Sequence, residues 1–202
     1  MAAPGEVTGP PALFTAGDLA AFELGERDLE ALQRLFEACP DYFVLAMGDP
    51  PGPEAARKTL ESRPPEGWAW SRKWTIGFRE AGAGLVAMAD LVADLLAPGV
   101  WHVGLFMVPE RLHGRGIGRR AYAALEAWMR GEGAYWLRLG VIEGNARAER
   151  FWEAAGYVEV RKRASVTMGR QSNTVRVMVK PLAGGAVADY LAVVDRDRPQ
   201  SD

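Results

Sequence analysis

After Gly25 the apolar residues Leu29, Leu32, Leu35 and Phe36 return every three or four positions. That spacing gathers them on one face of a helix, and Pro40 closes the stripe. Residues 1–18 are rich in Gly, Pro and Ala, with a short first strand expected over 12–15. Gly48-Asp-Pro-Pro-Gly-Pro53 breaks the chain, 54–62 predicts a short helix, and Pro64 and Pro65 stop it. Strands are predicted over 73–79 and 85–95, joined as a hairpin across 80–84, and again over 100–108.

The second half alternates strand and helix more regularly. A glycine turn leads into a helix on which Ile117, Ala121, Ala124, Leu125 and Trp128 share a stripe, ended by Gly131 and Gly133. In the strand predicted over 135–142, Leu137, Leu139 and Val141 fall on one face. Asn145 stands where it caps a helix bearing Ala148, Phe151, Trp152 and Ala155, with Gly156 as the stop. A terminal hairpin follows over 157–167 and 174–182, around a loop at 168–173. The tail after Gly184 reads as loose or as a short helix without chemistry.

A chain of 202 residues with 49% hydrophobic content can bury a full core. One domain over 1–183 is expected, with its core in 70–182 and a tail at 184–202. Lys and Arg number 24 against 26 Asp and Glu, so no basic field exists to hold nucleic acid or an anionic membrane. The single Cys39 rules out an internal disulfide, and with only His102 and His113 as imidazoles no metal site is expected. The N-terminus lacks a basic segment followed by an apolar run, and no window reaches the length of a membrane span. A cytoplasmic protein is expected.

The strongest chemical signal is Val108-Pro-Glu-Arg-Leu-His-Gly-Arg-Gly-Ile-Gly-Arg-Arg-Ala121. Three glycines, Gly114, Gly116 and Gly118, let backbone approach a ligand closely between a strand and a helix N-terminus, which is an arrangement suited to phosphate. Arg111, Arg115, Arg119 and Arg120 add local positive charge. A Walker loop is excluded because no Gly-Lys-Ser/Thr follows. Gly116-Ile-Gly118-Arg-Arg-Ala121 satisfies the dinucleotide pattern G-x-G-x-x-A, which would suit a nicotinamide-dependent oxidoreductase. That reading fails on context, since the preceding loop is long and no acidic residue ends the next strand.

The chain resembles the GNAT superfamily of N-acetyltransferases, most strongly over 70–182. The family loop Gln/Arg-x-x-Gly-x-Gly/Ala falls on His113-Gly114-Arg115-Gly116-Ile117-Gly118. A second signature, Asn145-Ala-Arg-Ala-Glu-Arg-Phe-Trp-Glu-Ala-Ala-Gly-Tyr157, is similar to Asn-x-x-Ala/Ser-x-x-Phe-Tyr-x-x-x-Gly-Phe. Two departures stand out: His113 replaces the usual Gln or Arg, and one extra residue separates Pro109 from the loop.

The resemblance implies an α/β (α+β) fold with a mixed central sheet of about six to seven strands, about four flanking helices and a splayed pair of parallel strands. It implies acetyl-coenzyme A as cosubstrate, held by residues 113 to 119 (His113, Gly114, Arg115, Gly116, Ile117, Gly118 and Arg119) together with Met107, Val108, Asn145 and Trp152. Main-chain groups near Met107 and Val108 would meet the pantetheine arm and stabilise an oxyanion. Trp152 stands where many members carry a general-acid tyrosine, and indole cannot deliver a proton at neutral pH. The acceptor would be a small-molecule or peptide amine. Asp90, Glu110 and Asn145 are the catalytic candidates, with Asp94 and His102 also near the predicted site, and no pattern singles out the base. Trp68, Trp70, Trp74 and Trp101 read as core or groove wall. A non-catalytic acyl-coenzyme A-binding module is the rival, and a homodimer stays open.

Overall fold

The computed structural model describes residues 11–182 and 184–199. The first half runs β1 (Phe14–Ala16), β2 (Leu19–Glu23), α1 (Leu29–Glu37), α2 (Pro40–Met47), α3 (Ala55–Glu61), β3 (Arg72–Glu80) and β4 (Leu85–Ala93). The second runs β5 (Val100–Met107), α4 (Ile117–Gly131), β6 (Trp136–Ile142), α5 (Ala146–Ala154), β7 (Val158–Met168), β8 (Gln171–Pro181) and α6 (Val187–Val193). All the strands form one sheet in the order β1-β2-β3-β4-β5-β6-β8-β7. Among the described residues only the β5/β6 pair is parallel.

Among the described residues there are eight strands and six α-helices, where six to seven strands and about four helices are expected from sequence. The strand expected at 12–15 is one arm of a hairpin that turns at Gly17 (φ +64°), and its second arm, β2, pairs with β3. Pro40 does not merely close the first helix. It opens α2 at the first helical position, where a missing N–H costs nothing. The loop expected over 168–173 shrinks to Gly169-Arg170, with strands running up to both residues. Gly169 has φ +56°, and a Cβ there would lie 2.6 Å from the Met47 carbonyl oxygen. Glycine is what lets the hairpin tip seat against the end of α2, where Arg170 N–H donates to that same carbonyl at 2.8 Å.

The sheet has two differently covered faces. On one, α4 and α5 pack over Leu137, Leu139 and Val141, the face the alternation predicts, with Ala121, Leu125 and Met129 filling the space between. On the other, α1 and α2 cover β4 and the end of β5 through Leu32, Phe36, Met88 and Met107. Farther along the same face, α6 covers Val100 and Val179 with Tyr190 and Val194. Sheet floor remains open between these two groups of helices.

The C-terminal segment therefore does more than trail from the sheet. Its 3₁₀ turn, Asp195–Asp197, buries Asp197 completely. Asp197 Oδ2 accepts from Arg138 Nε at 2.6 Å and Tyr190 O–H at 2.5 Å, and Oδ1 from Arg163 Nη2 at 2.7 Å and Arg138 Nη2 at 3.1 Å. Burial acts to raise the Asp197 carboxyl, but these donors outweigh it and hold the group below its ordinary 3.8. Asp197→Asn leaves the buried Arg138 guanidinium without its counter-charge, so we expect a loss of about 3–5 kcal/mol in urea unfolding at neutral pH. A depressed carboxyl stabilises the fold above its unfolded pKa. In the wild type this contribution is lost as pH falls below 3.8 through the folded value, and the asparagine variant lacks that component of acid sensitivity.

Candidate active site

β5 and β6 pair in parallel from Val100↔Trp136 to Val103↔Leu139 and no further. At the same level β5 bulges against β4: Asp90 faces Leu105 while Leu91 faces Val103, leaving Gly104 as the extra residue. The two strands part, and Gly104 and Gly140 are exposed although each lies within a strand of the sheet interior. A cleft of about 1190 Å³ passes through this opening. It reaches from the Gly114–Gly118 turn, past Asp90 and His102, to Arg163 on β7.

At the glycine end, Gly114 (φ +77°) and Gly116 (φ +78°) adopt left-handed conformations, and a Cβ on either would meet nothing within 4 Å. The space in front of them is empty, as a ligand cradle requires. Gly116 is the N-cap of α4, with no side chain capping it and no acidic residue in the first turn. The first-turn N–H groups are left for an anion, and the helix dipole favours negative charge there. Buried Ile117 anchors the helix start in the core, and Gly118 lies against Val108, its Cβ position 3.5 Å from Cγ2. The arginines divide. Arg119 lines the cleft and Arg115 is exposed, whereas Arg120 turns away to Asp18 at 2.5 Å and Glu80 at 3.3 Å.

His113 holds the turn in place. Its Nδ1 is bonded by Arg147 from α5, so Nε2–H donates to the Val108 carbonyl, 2.8 Å away. Because that carbonyl is occupied, the N–H is what Val108 has to offer a ligand. Met107 is buried against the α1/α2 cluster at the end of β5. Asn145 does what its position predicts, its Oδ1 accepting from Ala148 N–H at 3.2 Å to cap α5. Trp152 is nearly buried, edge-on to Tyr122, Phe151 and Tyr157, and forms part of the cleft wall. Tyr122 and Tyr157 bond each other through their hydroxyls at 2.8 Å, and burial raises both phenols.

Asp90 is the charged residue of an otherwise apolar, wholly buried strand. Its Oδ2 takes the Lys73 ammonium at 2.5 Å and the Thr75 hydroxyl at 3.1 Å. Lys73 also donates to the Thr59 carbonyl at 2.8 Å, which fixes it. Oδ1 faces the Gly104 bulge and has no donor among the described residues. Burial raises the Asp90 carboxyl above 3.8, with Lys73 and Thr75 offsetting part of the effect. Glu110 also borders the cleft, but its Oε1 accepts from Asp41 N–H at 3.1 Å in the first turn of α2. Asp94 is occupied closing the β4–β5 turn, its Oδ1 accepting from Gly99 N–H at 2.7 Å and its Oδ2 from the Ser71 hydroxyl at 2.5 Å.

His102 faces the cleft with Nδ1 against the Arg138 carbonyl at 3.1 Å, and burial together with the Arg138 guanidinium pushes its imidazole well below the usual range. It stays neutral and is a poor proton acceptor. Of the tryptophans, Trp74 and Trp101 stack in the core on the α4 side, Trp70 is exposed, and Trp68 lines the cleft. Lys73, Thr75, Arg138, Arg147 and Arg163 were not legible as site residues. The strand expected over 85–95 carried both Asp90 and Asp94, and only the fold shows that Lys73 and Thr75 converge on Asp90.

Residues 29–157 match the model of the Acetyltransferase (GNAT) family. No curated protein matches the chain in sequence. An acetyltransferase from Thermus thermophilus superimposes with a TM-score of 0.65 at 23% identity, covering 85% of this chain and 100% of that one. The spermidine N-acetyltransferase of Vibrio cholerae, in complex with CoA and spermine, gives 0.64 at 13% identity, covering 82% and 96%. Arabidopsis thaliana NAA60, in complex with acetyl-CoA, gives 0.62 at 13%, covering 82% and 99%. At these identities the likeness is one of fold.

The Lys73–Asp90 geometry makes a direct prediction. Followed by NMR, the Asp90 carboxyl titrates above 3.8 in the wild-type protein, and Lys73→Met raises it further, by about 1–3 pH units, because the neighbouring positive charge is gone. An unchanged titration would mean that Lys73 does not act on this carboxylate.

Proposed function

Because the chain belongs to the GNAT acetyltransferase family, we propose that it transfers the acetyl group of acetyl-coenzyme A to a primary amine of a small molecule or peptide by direct attack. The observation that carries this reading is the continuity of one cleft from the glycine cradle, through the parted β5 and β6, to the free oxygen of Asp90. The residues at the cradle suit a polyphosphate: two glycines in left-handed conformation face open space, and the first turn of α4 holds no carboxylate. When bound, acetyl-coenzyme A supplies a thioester whose carbonyl carbon is open to attack.

The residues divide the work by position. N–H groups of the α4 first turn, with Arg119 beside them, take phosphate charge. The Val108 N–H at the end of β5 is the donor for the thioester oxygen. Asp90 Oδ1 accepts the proton of the incoming ammonium, while Lys73 and Thr75 hold Oδ2 so that the free oxygen keeps its aim. The amine nitrogen then bonds the acetyl carbon as the C–S bond breaks, and the second proton that the nitrogen gives up reaches the released thiolate through water. No side-chain acid is assigned to that last proton, since Trp152 is an indole and the Tyr122 and Tyr157 hydroxyls are bonded to each other. His113 and Arg147 position the cradle, Glu110 fixes α2, and Asn145 fixes α5.

Two experiments test the two halves of this reading. Gly116→Glu puts a side chain and a negative charge where phosphate sits. By calorimetry it should lose coenzyme A binding while its circular dichroism stays that of the wild type. Wild-type affinity in the folded variant would remove the cradle from the mechanism. Asp90→Asn should keep acetyl-coenzyme A affinity and lower turnover, read as free thiol release, by about 10²–10⁴-fold, the usual worth of a positioned base. Wild-type activity should fall as pH drops through the raised Asp90 value, because only the carboxylate accepts a proton.

A further inference from the structure

At the end of the cleft away from the glycine cradle, three arginines from two parts of the chain converge. Arg161 and Arg163 are two apart on the edge strand β7, so their side chains share a face, and the C-terminal 3₁₀ turn brings Arg196 against them. Together with Lys162, Ala164 and Val166 they line a side pocket of about 630 Å³. Arg163 and Val166 also line the main cleft, so the two spaces adjoin.

The charge in this pocket is not balanced from within. Asp197 is the carboxylate in contact with the group, and its two oxygens are filled by four donors from Arg138, Arg163 and Tyr190. Lys162 pairs outward with Glu143. Arg161 donates to the Arg196 main-chain carbonyl at 2.6 Å, and the Arg196 guanidinium lies over the Trp68 ring at 3.8 Å. Neither has a carboxylate partner among the described residues. The Nε atoms of Arg161, Arg163 and Arg196 are all buried and find no acceptor there. A buried N–H without a partner is costly, and adjacent guanidiniums repel. Burial, with Arg163 and Arg138 nearby, lowers the Arg196 pKa, which reflects that crowding.

We propose that the acceptor amine carries an anionic group, a carboxylate or a phosphate, and that Arg161, Arg163 and Arg196 bind it. This rests on the transferase reading above. The guanidinium fork matches the oxygens of either group, and Trp68, which lines the main cleft, holds Arg196 at the junction. An acceptor anchored there extends along the cleft toward Asp90. Coenzyme phosphates are served by the cradle at the opposite end.

The test uses matched acceptors: α-amino acids against the amines formed by removing their carboxylates, and phosphate esters of amino alcohols against the parent alcohols. The wild type should favour the anionic member of at least one pair by about tenfold or more in kcat/KM, through KM, as loss of one charge-assisted contact implies. Arg161→Gln/Arg196→Gln should erase the preference with kcat little changed, and Arg161→Lys/Arg196→Lys should keep part of it. Equal use of neutral and anionic acceptors, or a preference unchanged in the Gln variant, overturns the proposal. A binding measurement separates this failure from that of the parent reading. With coenzyme A saturating and ionic strength matched by chloride, inorganic phosphate should raise the wild-type melting temperature saturably, and not that of the Gln variant. Equal phosphate effects in the two proteins overturn the anion site and leave the transferase reading intact. Protection lost in the variant, with thiol released by no amine, overturns the transferase reading and with it the anionic acceptor.

Discussion

Two parallel strands that begin side by side and stop pairing after Val103↔Leu139 create the space on which every other feature of the site depends. A continuous sheet would satisfy its main-chain groups internally and leave nothing to offer a ligand. The Gly104 bulge bends β5 away at the level where its pairing with β6 ends, and its lack of a side chain leaves Asp90 Oδ1 clear. Helices hold the opening from both faces, α4 and α5 on one, α1 with α2 and then α6 on the other. Across the cleft, the β7/β8 hairpin tip is tied to the end of α2 through Gly169, Arg170 and Asn173, so roof and floor share hydrogen bonds.

The cleft is bordered by two buried ion pairs that differ in what they leave unfilled. Asp197 has every acceptor site taken and cannot engage a ligand, so its role is to hold the C-terminal segment against β6. Asp90 has one oxygen taken by Lys73 and Thr75 and one oxygen open. Burial raises the Asp90 carboxyl, and a raised carboxylate is the better proton acceptor. The same pairing thus produces a clamp where the carboxylate is saturated and leaves an oxygen facing the cleft where it is not. His102 lies between the two networks and is kept neutral by Arg138 and by its burial.

The features legible in the chain are those that depend on a few neighbouring residues. Helical spacing located α1 and α4, period-two alternation located β6 and its inner face, and glycines after an apolar strand marked the turn that opens α4, because each depends on neighbours within a few residues. The cap by Asn145 was legible for the same reason. Pro40 was ambiguous, since the same ring ends one helix and begins the next, and only the path of the chain decides between them. Asp90 was one of several acidic candidates with no pattern to single it out, because its arrangement follows from the strand register that brings Thr75 opposite and from the reach of Lys73. Arg138, Arg163, Arg196 and Asp197 come together across up to 59 residues of chain, and no spacing rule spans that distance. The tertiary structure alone decided which of the many charges meet, because burial and long-range pairing are properties of the folded sheet and not of any short segment.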